Sequence, residues 1–467
     1  MIFDKIIIFL YLVFLLVVGI ANRKGSKNFK DFAKVNLPNR LANILIVATL
    51  FSSAVGAGTT FGLTERAYFI DISYTFAIIF ISSIDFIYAK YVVPRLVKHH
   101  YLAESTGDIM FKYYGTVGRV VAGFSGIIVS IGFLAAQITV SAALFKYFFS
   151  IDYVISIILS YGIVIIYTTV GGMQSIVFTN FIQFIAMIVA VPVITIFGIY
   201  HIGGLSDFAT LVPMEKLYPT SDNGFMLNLI IAMLGLVSTN FYPTSLQRML
   251  IEKDFTKTVT AIYRTIVINW LFLIFVTING LIAYILLPNL DLSSKTILPS
   301  LIHEIIPYGL QGFVIIGLIS ALMSTADSDL NISSINLVKD IINVLFKIEN
   351  QQKLVKIAKV LNVLIGSISI LIALKFNDVI DLIIFFTGFW GPTMLVPLVF
   401  GAFGILLPKK GYIISVSISL LSFIIWESYF SYLRIPGVFI GTLSNLIIFS
   451  TYIINKKIII NHQFREY

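Results

Sequence analysis

Thirteen runs of predominantly apolar residues, most of them long enough to cross the ~30 Å hydrocarbon core of a bilayer, decide what this 467-residue chain can fold into. They fall at 3–21, 41–63, 70–93, 118–148, 151–170, 176–200, 225–247, 262–288, 310–346, 357–375, 379–406, 412–430 and 435–455, separated by charged or Pro/Gly-rich breaks. Inside lipid a backbone finds hydrogen-bond partners only within a helix or a closed barrel. Barrel strands would alternate in hydrophobicity over about ten residues, and no such pattern occurs. The chain is therefore read as an all-α polytopic membrane protein of about 13 transmembrane helices. Composition agrees, with 58% hydrophobic and 12% charged residues, against roughly 45–50% and about 25% in soluble domains. The spans use up the length, so the chain reads as one domain with no appended soluble enzyme.

The first run could pass for a secretion signal, but Asp4 and Lys5 cancel in charge and no small-residue cleavage site follows. It is expected to be a retained span. There is no cysteine, which excludes a disulfide framework, a thiolate metal site and a cysteine nucleophile.

Lysine and arginine number 32 against 23 acidic residues, a net charge of +9. In a soluble protein that excess would suggest nucleic acid. Assigned to alternate sides of thirteen spans, however, twenty-five of the 32 cations fall on one side and seven on the other. Cations collect on the cytoplasmic side of a membrane, so the excess is a topology signal. It predicts a multi-pass plasma-membrane protein with its N-terminus outside and its C-terminus in the cytoplasm, and no nucleic-acid partner.

Binding sites in secondary transporters sit near mid-membrane, where a helix is interrupted and its freed backbone groups become ligands. Span 2 carries the densest interruption, Ser52-Ser53-Ala54-Val55-Gly56-Ala57-Gly58-Thr59-Thr60-Phe61-Gly62. Span 7 carries another, from Gly235 through Ser238-Thr239-Asn240-Phe241-Tyr242-Pro243-Thr244-Ser245. They lie five spans apart, as would the first helices of two inverted five-helix repeats. Span 9 adds Ala321-Leu322-Met323-Ser324-Thr325-Ala326-Asp327-Ser328-Asp329. At ~1.5 Å per residue, Ser324 lies roughly 21 Å into its span and Ser52 roughly 17 Å into its own. Both are near mid-depth. Adjacent hydroxyls facing unwound carbonyls make a neutral, all-oxygen cage that suits a hard monovalent cation, sodium, better than a transition metal or calcium. Small residues also serve close helix packing, and membrane hydroxyls often bond only their own preceding turn.

These segments resemble the sodium:solute symporter family over nearly the whole chain. Ala321 to Asp340, ALMSTADSDLNISSINLVKD, is similar to its sodium-site helix. GGMQSIVFTNFIQF, Gly171 to Phe184, is similar to its Gly-Gly…Thr-Asp…Gln pattern, and SLQRML at the end of span 7 to its Gln-Arg or Ala-Arg element. The resemblance implies a LeuT-like 5+5 inverted-repeat core, with an extra helix at 3–21, a first repeat at about 41–200, a second at about 225–406, and two extra helices within 412–455. It implies sodium held by the carbonyls of Ser52, Val55 and Ala321 and the hydroxyls of Ser324 and Thr325. Solute would lie beside it, lined by Thr59, Gln137, Phe241 and Pro243.

Two departures stand out. The carboxylate that the family's proline transporters carry in the broken helix is Ala54 here, and the following tryptophan is Gly58. Asn180 replaces the Asp that helps form a second sodium site in some members, which implies one sodium per cycle.

The implied activity is secondary active symport: import of a small organic solute, an amino acid such as proline or a small organic anion, coupled to inward sodium flow by alternating access. No covalent chemistry is involved, the co-transported ion stands where a cofactor would, and a monomer in the lipid bilayer is expected to suffice. The competing reading is a transporter-like membrane sensor that signals through a separate partner; the short tail after Ile460 speaks against it. Among other polar residues, Asp85 lies within span 3 and Asp327 and Asp329 beyond the hydroxyl pair, where intramembrane acids are candidates for an ion pathway. The five histidines fall in loops or the tail, with no metal-catalytic spacing.

Overall fold

The computed structural model describes residues 2–21, 28–35, 41–218, 241–288, 296–376, 379–433, 435–455 and 458–460. It begins with α1 (Ile2–Ala21), the short α2 (Phe29–Ala33) and α3 (Ala42–Ala54). After a break at Val55–Ala57, a π-helical turn at Gly58–Gly62 leads into α4 (Leu63–Phe69), which is bent 66° from α3. Next come α5 (Ser73–Ser82), α6 (Ile84–Tyr91) and α7 (Val93–His100), the last bent 45° from the pair before it. Two long helices follow, α8 (Thr106–Phe149) and α9 (Tyr153–Ile202), then α10 (Leu205–Leu211) and α11 (Met214–Leu217). The second half holds α12 (Pro243–Met249), α13 (Phe255–Leu286), α14 (Ile297–Ile305), α15 (Gln311–Asn336) and α16 (Asn343–Phe346). It closes with α17 (Gln351–Ala373), α18 (Val379–Thr387), α19 (Val396–Ala402), α20 (Lys409–Tyr429) and α21 (Gly437–Ile454). Two two-residue strands, β1 (Ile405–Leu406) and β2 (Ile459–Ile460), pair antiparallel.

Among the described residues nine helices are long and apolar enough to span a membrane, and the two bent pairs make eleven. α9 accounts for one more. Fifty residues would reach ~75 Å if straight, far beyond the bilayer, but Gly172 sits at φ 62°, ψ −160° and breaks the helix. That left-handed region favours glycine, and a Cβ there would lie 2.8 Å from Phe32 Cδ2. The two arms match spans 5 and 6. The remaining span, expected at 225–247, lies mostly outside the described residues, as do Gly235, Ser238, Thr239 and Asn240; its end is α12. A multi-pass helical membrane protein is thus confirmed. α8 likewise breaks at Gly115 (φ 68°, ψ −153°), so its longer arm matches span 4, while a capping box of Ser105 and Asp108 starts the short arm at Thr106.

α15 occupies the centre and is buried along nearly its whole length. It packs against α1, α3, α8 and α9. The Asp4 carboxylate of α1, fully within the fold, accepts the N–H groups of Gly309 at 3.0 Å and Gly312 at 2.8 Å. It thereby caps the start of α15, where helical N–H groups lack partners. Gly312 permits this approach, since a Cβ there would fall 2.9 Å from the Asp4 backbone.

Candidate functional site

α3 ends at Ala54 because Val55 leaves helical geometry at φ −99°, ψ 114°. The last carbonyls of a helix have no intrahelical partner, and they carry the negative end of its dipole. Here they meet α15. Ser324 Oγ donates to the Ser52 carbonyl at 3.1 Å, and Thr325 Oγ1 to the Val55 carbonyl at 2.9 Å. Both hydroxyls also reach the Ala321 carbonyl, at 3.3 and 2.7 Å. Three carbonyl and two hydroxyl oxygens, from segments some 270 positions apart in sequence, thus converge in one buried cluster. The back-bonding to the preceding turn is real, and the same hydroxyls additionally bridge to α3. The cluster is neutral and all-oxygen, and its donor set suits sodium.

The break itself is held by neighbouring side chains. Ala57 N–H donates to Gln137 Oε1 at 2.8 Å, Gly56 N–H to Thr59 Oγ1 at 2.9 Å, and Thr60 Oγ1 to the Gly56 carbonyl at 2.7 Å. Gly56 lies so close to α8 and α15 that a Cβ would come within 2.6 Å of Gln137 Nε2 and 2.9 Å of Thr325 Oγ1.

Beside the cluster opens a cavity of about 190 Å³, with Thr325 on its wall. Thr59 and Gln137 line it, as does Asp85, whereas Phe241 and Pro243 do not. Phe241 is buried against Tyr88, ring centroids 4.2 Å apart, and Pro243 opens α12 and faces Gly126. Their neighbours Tyr242, Thr244 and Ser245 take wall positions instead, and Asn269 lines the cavity as well. The signal for this was within reach: proline at the first position of a helix fixes where α12 starts, and so which side chains turn inward.

Asp329 also lines the cavity, but Asp327 does not. Asp327 is fully buried and accepts hydrogen bonds from Tyr167 Oη at 2.8 Å and Ser328 Oγ at 3.1 Å. Arg248, placed by its sequence position among the cytoplasmic cations, is fully buried as well. Its guanidinium donates to Gln247 Oε1 at 3.0 Å and Ser328 Oγ at 2.8 Å, supplying positive charge to the two acids. Asn180 Nδ2 donates to Thr49 Oγ1 at 3.1 Å, and its backbone carbonyl accepts from Ser52 Oγ at 3.0 Å.

Residues 38–418 match the sequence model of the Sodium:solute symporter family. The chain belongs to that family. The family consists of transporters rather than enzymes. Among similar proteins, the high-affinity proline transporter PutP of Bacillus subtilis (strain 168) is 25% identical over 74% of this chain and 77% of its own. The sodium/sialic acid symporter SiaT of Proteus mirabilis (strain HI4320) is 24% identical over 79% of this chain and 77% of its own. A sodium-coupled sialic acid symporter solved substrate-bound and outward-open superposes with TM-score 0.84, at 20% identity, over 96% of this chain and 97% of that one. MhsT in complex with L-phenylalanine gives TM-score 0.60 at 15% identity, covering 90% of this chain and 99% of that one. These structures establish the shared transporter fold.

Proposed function

We propose that this symporter imports one small organic solute with one sodium ion, and that the five oxygens of Ser52, Val55, Ala321, Ser324 and Thr325 hold the ion. The observation that carries the reading is the convergence of those oxygens where α3 breaks against α15. The solute occupies the adjoining cavity, with Thr59 and Gln137 on its wall. Because Thr325 belongs to both, the two cargoes are neighbours and each stabilises the closure the other needs. The chain works as a single transmembrane domain, a monomer in the plasma membrane, with its N-terminus outside as the cation distribution requires.

The single-ion stoichiometry rests on Asn180 and Arg248. Where a carboxylate would add negative charge, Asn180 presents an amide to Thr49, and the Arg248 guanidinium holds Ser328 next to it. One charge crossing a ~100 mV potential contributes roughly 2.3 kcal/mol. A tenfold sodium gradient adds about 1.4 kcal/mol. Together they sustain solute accumulation of several hundredfold.

Uptake into proteoliposomes tests the reading. It should require an inward sodium gradient and give a Hill coefficient near one for sodium. Ser324→Ala with Thr325→Ala should raise half-saturating sodium at least tenfold with the protein still inserted. An unchanged sodium curve in that variant refutes the site, and a clearly sigmoidal wild-type curve refutes the single ion.

A further inference from the structure

We infer that a groove between α3, α6, α9 and α13 binds an anionic phospholipid, its acyl chain along the apolar floor and its phosphate against Arg264. The inference goes beyond the symport reading and concerns a place apart from the solute cavity.

The groove has a volume of about 590 Å³. Val47 is buried at its floor, whereas Ile44 on α3 and Val267 on α13 line it with nearly half their surface exposed. It therefore opens on the outside of the helix bundle, the face that a multi-pass protein turns to lipid. Phe86, Phe184 and Ile268 extend the apolar lining. Among the described lining residues the one charged side chain is that of Arg264. It is exposed, and among the described residues it makes no hydrogen bond or ion pair. A cation inside an apolar span is costly unless it meets a counter-charge or reaches the interface.

Charge and apolar surface are segregated along the groove. Arg264 precedes Val267 and Ile268 by three and four positions, one turn away on the same face of α13. Helical side chains tilt toward the N-terminus of their helix, so the guanidinium reaches away from those apolar residues, toward the Phe255 end. The chain from Ser82 to Phe86 runs antiparallel to α13, because Ser82 Oγ accepts from Trp270 Nε1 while Phe86 packs on Tyr263, centroids 5.2 Å apart. Lys90, exposed and one turn past Phe86, therefore stands at the same end as Arg264. Charge at one end and hydrocarbon along the rest is the pattern of a phospholipid. Basic pockets between membrane helices take anionic head groups, and the planar guanidinium matches phosphate geometry. Tyr263, next to Arg264, is of the ring type that collects where hydrocarbon meets head groups. A zwitterionic phospholipid offers the same chain but carries its own ammonium beside the phosphate, so Arg264 discriminates between the two.

Thermal stabilisation of the full-length protein, purified in detergent and supplied with one lipid at a time, tests the inference. The probes are dioleoyl phosphatidylglycerol, dioleoyl phosphatidylcholine at the same mole fraction, and glycerol 3-phosphate as a head group without a chain. Phosphatidylglycerol should stabilise at a several-fold lower concentration than phosphatidylcholine, and glycerol 3-phosphate should not stabilise. Arg264→Gln should weaken the phosphatidylglycerol effect roughly fivefold, the factor for one cation at a lipid surface, and leave that of phosphatidylcholine unchanged. Arg264→Lys should recover part of the loss. Lys410→Gln, which removes an exposed cation at the start of α20, should change nothing. Val267→Trp fills the groove and should abolish the stabilisation with Arg264 still present; Ile44→Trp, on α3, repeats that test should the first variant fail to fold. Equal potency of the two lipids overturns the inference, as does an Arg264→Gln response within about twofold of the natural protein. An equal loss in Lys410→Gln overturns it too, since that marks diffuse surface charge. Stabilisation by glycerol 3-phosphate alone, or a lipid effect undiminished by tryptophan in the groove, likewise overturns it.

Discussion

Replacing Gly56 by alanine puts a single methyl group between the solute cavity and the ion cluster. The added Cβ would lie 2.6 Å from Gln137 Nε2 and 2.9 Å from Thr325 Oγ1, where ordinary contact begins near 3.4 Å. Neither neighbour is loose. Gln137 is tied through Oε1 to Ala57 N–H at 2.8 Å, and Thr325 Oγ1 holds two carbonyls at 2.9 and 2.7 Å. Overpacking of this kind costs ~1–3 kcal/mol. Relief by rotating Gln137 forfeits a hydrogen bond worth ~0.5–1.5 kcal/mol net; relief by displacing Thr325 removes an oxygen of the proposed ion site. A loss of ~1–2 kcal/mol from sodium binding corresponds to a roughly 5- to 30-fold rise in half-saturating sodium.

Gly58→Ala is the control. Its Cβ meets only Ile383 Cδ1, at 3.1 Å, the far end of a side chain that can swing away, so sodium binding should stay within about twofold of the natural protein. Sodium titrations followed by thermal stabilisation, with potassium chloride holding ionic strength constant, separate the two. Adding Gln137→Ala to Gly56→Ala assigns the strain: recovery implicates the glutamine, persistence the threonine. Overlapping curves for Gly56→Ala and the natural protein, or equal shifts in both glycine variants, would refute the packing argument.

Asp4→Ala should lower the thermal stability of the purified protein, since the uncapped amides of Gly309 and Gly312 cost ~0.5–2 kcal/mol; an unchanged melting temperature would show that α1 does not support α15. Asp340 is fully buried and accepts from Ser105 Oγ at 2.6 Å and Gly107 N–H at 3.2 Å. Asp340→Ala should therefore cost ~1–3 kcal/mol, read as a shorter half-life on heating in detergent. Burial beside Tyr101 pushes the Lys34 ammonium, in the segment between α2 and α3, down to about 8 from its ordinary 10.5. The unfolded chain then binds more protons between those values, so stability rises as pH climbs from about 8 toward 10.5. Lys34→Met should flatten that rise, and identical pH profiles would show that Lys34 contributes nothing to it.

The convergence of oxygens was legible because two independent patterns coincide, a Gly-rich interruption ending at Gly62 and a hydroxyl pair at Ser324 and Thr325. Periodicity and rise per residue are enough to bring such features level. The solute wall was less so, because it depends on which residue begins α12: a start at Pro243 turns Tyr242, Thr244 and Ser245 inward and leaves Phe241 on Tyr88. The burial of Arg248 was not legible for a different reason. Sorting cations by span records position along the chain, not burial, and Arg248 is fully buried in the seven-residue α12. Asp4 looked like half of a cancelled pair with Lys5, since its partners, the amides of Gly309 and Gly312, are three hundred residues away.

Of the five oxygens, Ser52 and Val55 contribute theirs from α3 and its end, while Ala321, Ser324 and Thr325 contribute theirs from α15. The cluster is thus a seam between two helices, two stitches on one side and three on the other. Neither side alone can replace a hydration shell. If the seam holds the proposed sodium, a displacement of α3 from α15 by little more than the slack in a hydrogen bond would return that ion to water with no helix unfolding. Tight holding and quick surrender would then be one property of the seam, set by whether the two helices stay together.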